Sequence, residues 1–178
     1  LHETPFTISV DYKIDTTTGI SAFDRDKTIR ALIDKDTNSS DLGRPGHIFP
    51  LKATPGGVLR RAGHTEAVVD LARLAGHYPA GVLCEVLKEN GEMARLPELS
   101  KIAKKFGMKL ISIKNLIEYR LESEKLVEKI VETKLPTRIG KFKAALYRST
   151  VDAKDHIALV KGKIEPKETV LVRVHSEC

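Results

Sequence analysis

The sequence predicts an α/β or α+β unit over residues 1–120, followed by a small β-rich unit over residues 121–178. Three observations predict this. Strand-like and helix-like segments alternate through residue 120. Beyond it the pattern loses every helix signal and keeps only strand-like runs between turns. The chain has 178 residues, 41% of them hydrophobic, which is enough for one good core, or for one domain and part of another.

The elements follow in order. "PFTISVDYKI" alternates and is β-branched, so it reads as a strand. "DTTTGIS" is a hydroxyl-rich turn, and "AFDRDKTIRALID" is helical with Ile29, Leu32 and Ile33 on one side. "DKDTNSSDLGRPGH" reads as a polar loop, "IFPLKA" as a short strand and "TPGG" as a turn. A helix starts near Thr65 with Ala67, Val68, Leu71, Ala72 and Ala75 as its apolar stripe and Gly76 as its stop. "AGVLCEVLKENGEM" is a strand leading to an Asn90-Gly91 turn, with Cys84 as a buried thiol. "PELSKIAKKFG" is a helix opened by Pro97 and closed by Gly107, with Leu99, Ile102, Ala103 and Phe106 inward. "MKLISI" is a strand and "KNLIEYR" a short helix. A charged connector, "LESEKLVEKIVETKLPTRIG", then leads to three strand-like runs, "KFKAALYRS", "DHIALVKGKI" and "ETVLVRVHSEC".

Charge and cysteine content exclude several classes. Net charge is +6, and residues 1–120 and 121–178 each carry +3, so there is no basic arm. Lysines and arginines are interleaved with acids and few aromatics, which favours a solvated surface over nucleic-acid binding; phosphorylated small molecules suit the same mild excess. No apolar run approaches the roughly 20 residues that span a membrane, and "LHETPFTISV" has no signal-peptide pattern. Two distant cysteines, Cys84 and Cys178, give no disulfide framework and point to a reducing cytoplasm.

Four groups carry candidate chemistry. His47 ends the loop "GRPGH", Arg61, His64 and Thr65 lie at a helix start, Glu85 sits inside an apolar run, and Thr16 to Gly19 supply hydroxyls. Unpaired amides at a helix N-terminus suit a phosphate, Arg61 adds a bidentate grip, and Thr65 adds a hydroxyl. A carboxylate in a buried strand is costly unless paired, coordinated or functional. Each residue also has a plainer reading: Arg61 solvated, His64 packing, His47 in a loop, and Glu85 on the solvent side of its strand.

The ordered motifs "TTTGISAFDRDKTIRAL", "RPGHIFPL", "GGVLRRAGHTEAVVDLARLAG", "GVLCEVL" and "MARLPEL" resemble 3,4-dihydroxy-2-butanone 4-phosphate synthase across residues 1–120. The resemblance implies an α/β sandwich, a homodimer, a divalent cation (Mg2+ or Mn2+), and conversion of ribulose 5-phosphate to the four-carbon riboflavin precursor and formate. It implies that His64 is a metal ligand, that Arg61, Ala62, Gly63, His64, Thr65 and Glu85 bind substrate, and that His47 and Glu85 are essential for catalysis. His64 and Glu85 are then expected to converge on one pocket with His47 nearby.

The acidic metal-binding loop of that family has no match here, and His64 alone cannot hold magnesium. "TKLPTRIGKFKAALYR", "HIALVKG" and "VLVRVHSEC" resemble the opening strands of GTP cyclohydrolase II. This second resemblance implies GTP binding by Arg173, Val174, His175, Ser176 and Glu177, and Cys178 as one of three cysteine ligands of a Zn2+ site. The expectation is therefore a piece of a bifunctional riboflavin-synthesis enzyme, without synthase or cyclohydrolase turnover by these 178 residues alone. Non-catalytic packing and a GTP-binding unit are the alternatives.

Overall fold

The computed structural model describes residues 5–167 and 169–176, and its chain divides into two compact units, residues 1–124 and 125–178. The first unit is mixed α/β. Strand β1 (Val10–Tyr12) leads to helix α1 (Ala22–Ile33), then strand β2 (Leu42–Ile48), helix α2 (His64–Leu74), helix α3 (Leu96–Phe106) and helix α4 (Ile113–Ser123).

β1 pairs antiparallel with β2, and the pairing extends outward through a Phe6–Leu51 bridge and the Thr7 and Lys52 amides. The register breaks between Val10, opposite Ile48, and Asp11, opposite Gly43. Residues 44–47 therefore bulge from β2 over the Val10–Asp11 peptide. Gly46 lies so close to that peptide that a methyl group there would collide with the Val10 carbonyl carbon, and its N–H donates to Ser9 Oγ at 3.2 Å. The "GRPGH" segment is thus strand and bulge rather than loop. Its polar composition serves the bulge, where side chains leave the ladder.

α1 is capped by Ser21, whose hydroxyl accepts from the Asp24 amide. It buries Asp24, Thr28 and Ala31, while Leu32 and Ile33 stay exposed, so the expected apolar stripe is displaced toward a polar one. Thr28 Oγ1 explains this: it accepts from the Tyr12 amide and donates to the Asp24 carbonyl, fastening β1 to α1. α2 shows the same inversion. It buries Thr65, Glu66 and Asp70, leaving Leu71 and Leu74 exposed, because its polar face pairs with Arg61 and Arg120. α3 keeps its expected boundaries to within a residue, whereas α4 runs three residues past its expected end, to Ser123: Glu98 accepts from the Arg95 amide, Gly107 turns left-handed at φ 63°, and Ser112 caps α4.

Two expected strands of this unit do not form among the described residues. Residues 80–86 and 108–111 join no strand ladder, and only the Leu87–Met93 bridge around Asn90-Gly91 is made. Cys84 is exposed rather than buried, and so is Glu85. Their apolar composition remains, but a strand also needs a hydrogen-bonding neighbour.

The second unit is an antiparallel meander of β3 (Val127–Thr137), β4 (Gly140–Ser149) and β5 (Asp155–Lys161), in the order β3-β4-β5. β3 occupies what the sequence presents as a charged connector. Every residue of it is exposed, so no alternation of apolar and polar residues marks it. Residues 169–176, expected as a strand, make no ladder.

Candidate active site

The site residues fall in two clusters. In the first, Asp11 Oδ1 accepts from the His47 main-chain N–H at 2.9 Å, and Asp11 Oδ2 lies 2.7 Å from His47 Nδ1. The bulge of β2 brings this about, by turning residue 47 back toward β1. Behind Asp11 stands Gly19 at φ 83°, so close that a Cβ there would collide with the carboxylate. Asp24 fixes that turn: it accepts from the Thr17 amide at 3.1 Å, the Thr17 hydroxyl at 2.7 Å and the Gly19 amide at 3.1 Å. The Thr17 hydroxyl is the largest influence holding the Asp24 carboxyl below its ordinary range, against the opposing effect of burial. The hydroxyl-rich turn is therefore a structural brace for the His47 cluster.

The second cluster is the N-terminus of α2. Gly63 is the N-cap and has no side chain to occupy the first-turn amides. Arg61 Nη1 lies 2.6 Å from Glu66 Oε2, and Glu66 Oε1 accepts from the Thr54 amide at 3.0 Å. Glu66 is fully buried. Burial pushes its carboxyl up, yet the Thr54 amide and the Arg61 guanidinium outweigh burial and leave it below the ordinary range. Thr65 is buried, whereas Ala62 and His64 are exposed.

No hydrogen bond or ion pair among the described residues joins His47, His64 and Glu85. Glu85 follows Gly81, which packs against Val68 of α2, so its segment begins beside that helix. Among the described residues, no group of three or more His, Cys, Asp or Glu side chains is gathered to hold a metal ion. Arg173, Val174, His175 and Ser176 are exposed and outside any strand, while Glu177 and Cys178 lie outside the described residues. No helix among the described residues is long and apolar enough to cross a membrane.

Sequence reasoning missed Asp11, Glu66, Asp70 and Arg120. The signal for Asp11 was present, a carboxylate in the β-branched run "TISVDYKI". The signal for Glu66 and Asp70 was their four-residue spacing on one helix face.

Comparison with known proteins supplies the frame for these clusters. Residues 1–119 match the family model of 3,4-dihydroxy-2-butanone 4-phosphate synthase. The chain belongs to the 3,4-dihydroxy-2-butanone 4-phosphate synthase family. After this synthase-family unit, residues 128–178 match the GTP cyclohydrolase II model. Riboflavin biosynthesis protein RibBA of Cytophaga hutchinsonii is 62% identical over 178 residues, covering 99% of this chain and 44% of its own length. RibBA of Bacillus cytotoxicus is 56% identical over 177 residues, with 99% and 44% covered. The chain thus spans less than half the length of these curated relatives.

Among solved structures, the two-domain synthase RibBX from A. baumannii superposes with a TM-score of 0.76 at 49% identity, covering 91% of this chain and 48% of that one. A synthase solved in complex with two magnesium ions gives 0.60 at 38% identity, covering 68% and 62%. These neighbours share the mixed α/β architecture of the synthase-family unit.

Proposed function

We propose that the protein carrying this chain takes part in riboflavin biosynthesis, converting ribulose 5-phosphate to 3,4-dihydroxy-2-butanone 4-phosphate and formate. The observation that carries this reading is the family match across residues 1–119. Arg61 and the amides and hydroxyl from Ala62 to Thr65 hold the substrate phosphate at the N-terminus of α2, where amides and helix dipole favour an anion. The phosphate does not react; it orients the sugar. His47 and Glu85 exchange the protons that make and quench an anionic enediolate beside the ketone. His64 is the proposed ligand of a divalent cation, Mg2+ or Mn2+, which would supply Lewis-acid stabilisation of that anion. The described residues do not fit a magnesium site by themselves, since magnesium needs several oxygen donors. No step is therefore assigned through the metal.

The match of residues 128–178 to GTP cyclohydrolase II favours a second reading for that unit. There, residues 173–177 contact GTP and Cys178 is a Zn2+ ligand. A homodimer in the cytoplasm, acting on small phosphorylated molecules rather than on nucleic acid or membranes, completes the proposal.

The test incubates the protein that carries these residues with Mg2+ and ribulose 5-phosphate and follows products by 1H and 31P NMR. Formate and a four-carbon phosphate in equal amounts are expected. Ribulose 5-phosphate left unchanged would overturn the reading.

A further inference from the structure

We propose that Asp11 is a positioning residue for His47: it fixes the neutral imidazole as the Nδ1–H tautomer and so reserves Nε2 for proton exchange with a substrate. The tautomer assignment stands on geometry alone. Its catalytic consequence rests on the reading of His47 given above.

An ionised carboxylate only accepts hydrogen bonds. With Asp11 Oδ2 at 2.7 Å from Nδ1, that nitrogen carries the proton. A neutral imidazole has one N–H, so Nε2 keeps its lone pair. The second oxygen makes the arrangement rigid. Asp11 Oδ1 accepts from the main-chain N–H of the same histidine at 2.9 Å, so backbone and ring of residue 47 are tied to one carboxylate.

The carboxylate is itself confined. Gly19 abuts it, Asp24 holds the Gly19 turn, and Gly46 lies on the Val10–Asp11 peptide. The Asp11 side chain is 19% exposed and the His47 side chain 43% exposed. The orienting group is enclosed and the oriented one is open to a ligand. This division suits a base with a fixed partner better than a chance surface pair, which would leave both groups mobile.

The geometry makes a specific claim about Asp11→Asn. The amide has one acceptor oxygen for two donors. If the oxygen stays with the His47 main-chain N–H, the NH2 group faces Nδ1 and turns it into an acceptor. The proton then moves to Nε2. Rotating the amide instead sets its NH2 against the main-chain N–H, a donor facing a donor. The substitution should therefore invert the tautomer without changing side-chain shape. Elsewhere the same exchange behind a catalytic histidine costs about 10⁴-fold in turnover.

The experiment is two-bond 1H–15N correlation on 15N-histidine-labelled chain above pH 8, with His47→Gln assigning the signal. Wild type should show a pyrrole-like Nδ1 and a pyridine-like Nε2, and Asp11→Asn should exchange them. A wild-type His47 protonated on Nε2 would overturn the proposal. In the protein that carries these residues, Asp11→Asn should lower kcat by about 10³- to 10⁴-fold while KM moves less than about threefold. A merely structural role would instead lower the folded fraction and leave kcat of the folded enzyme unchanged. If His47→Gln kills turnover and Asp11→Asn does not, the positioning role fails alone. If His47→Gln leaves turnover intact, the catalytic reading of His47 fails while the tautomer assignment stands.

Discussion

Arg120 Nη1 lies 2.7 Å from Asp70 Oδ2, joining α4 to α2 through a pair whose side chains are 5% and 4% exposed. The pair does more than bind two helices. Arg120 Nη1 also donates to the Gly56 carbonyl at 2.9 Å, and Asp70 Oδ2 accepts from the Val58 amide at 2.8 Å. The turn at Gly57–Leu59 therefore hangs from this ion pair at Gly56 and Val58, shortly before Arg61. Arg120 completes its donors on Glu124, with Nε at 2.7 Å from Oε1 and Nη2 at 2.8 Å from Oε2. A position fifty residues away in sequence thus sets the approach to the α2 N-terminus.

Removing one partner of a buried pair leaves the other charge uncompensated, at a cost of about 3–5 kcal/mol. Arg120→Met is expected to destabilise the first unit by roughly that amount in urea titrations monitored by circular dichroism. Arg73→Met serves as the contrast, because Arg73 is half exposed and 3.5 Å from Asp70. Equal losses in the two variants would refute the role given to Arg120.

Arg61 is the second position where charge decides the outcome. One edge of its guanidinium is fixed by buried Glu66, which presets the plane offered to an anion. Arg61→Ala should weaken ribulose 5-phosphate binding about 10- to 100-fold, the value of a charge-assisted hydrogen bond or two. Arg61→Lys should recover little of it, since an ammonium cannot span Glu66 and phosphate in one plane. Isothermal titration with ribulose 5-phosphate checks both; an unchanged dissociation constant in Arg61→Ala would remove Arg61 from the phosphate site.

Three carboxylates predict the acid response. Asp24 is held below its ordinary range by the Thr17 hydroxyl, and Glu124 by its hydrogen bonds to Arg120. Glu66 is lowered too, the Thr54 amide and Arg61 prevailing over burial. A group with a depressed folded value binds its proton first in the unfolded chain. Its contribution is thus complete above the ordinary carboxylate range, about pH 4, and is lost as pH falls through the lower folded values. Thermal midpoints should stay level from pH 7 to about 5 and fall below about 4. A midpoint that rises between pH 5 and 3 would contradict this sign.

The sequence was most legible where local chemistry decides structure. Pro97 and Gly107 marked the start and stop of α3 because such signals act within one turn. It was least legible where a distant partner decides. Residues 80–86 and 108–111 have strand composition, but composition carries no information about which neighbour supplies the ladder. β3 stayed hidden for the opposite reason: both of its faces are exposed, so no hydrophobic period distinguished it from a linker. The site followed the same division. Arg61, His64 and Thr65 were visible as a local motif at a helix start. Asp11 was not, because its meaning depends on His47, thirty-six residues away, and on a bulge that only the register of β1 and β2 reveals. The cost argument spent on Glu85, a carboxylate in an apolar run, applied with equal force to Asp11; Glu85 proved exposed and Asp11 partnered.

The bulge itself gives the last prediction, with its control built in. Gly43 and Gly46 flank the cis Arg44–Pro45 peptide in the same strand, and neither has a positive φ. They differ in what a methyl group would meet. At Gly43 the nearest atom is the Asp11 carbonyl oxygen at 3.5 Å, an ordinary van der Waals contact. At Gly46 a methyl would overlap the Val10–Asp11 peptide, which is backbone and cannot swing aside. Gly46→Ala must therefore lift the bulge off β1 and carry His47 away from Asp11. Overpacking of this kind costs about 1–3 kcal/mol, whereas Gly43→Ala should stay within about 0.5 kcal/mol of wild type. Urea titrations measure the difference, and the His47 ring 15N shifts report the position of the imidazole: Gly46→Ala should release the Nδ1–H tautomer and Gly43→Ala should retain it. Two alanine variants with equal stability and the same His47 signals would mean that the close approach at Gly46 does not hold the histidine in place.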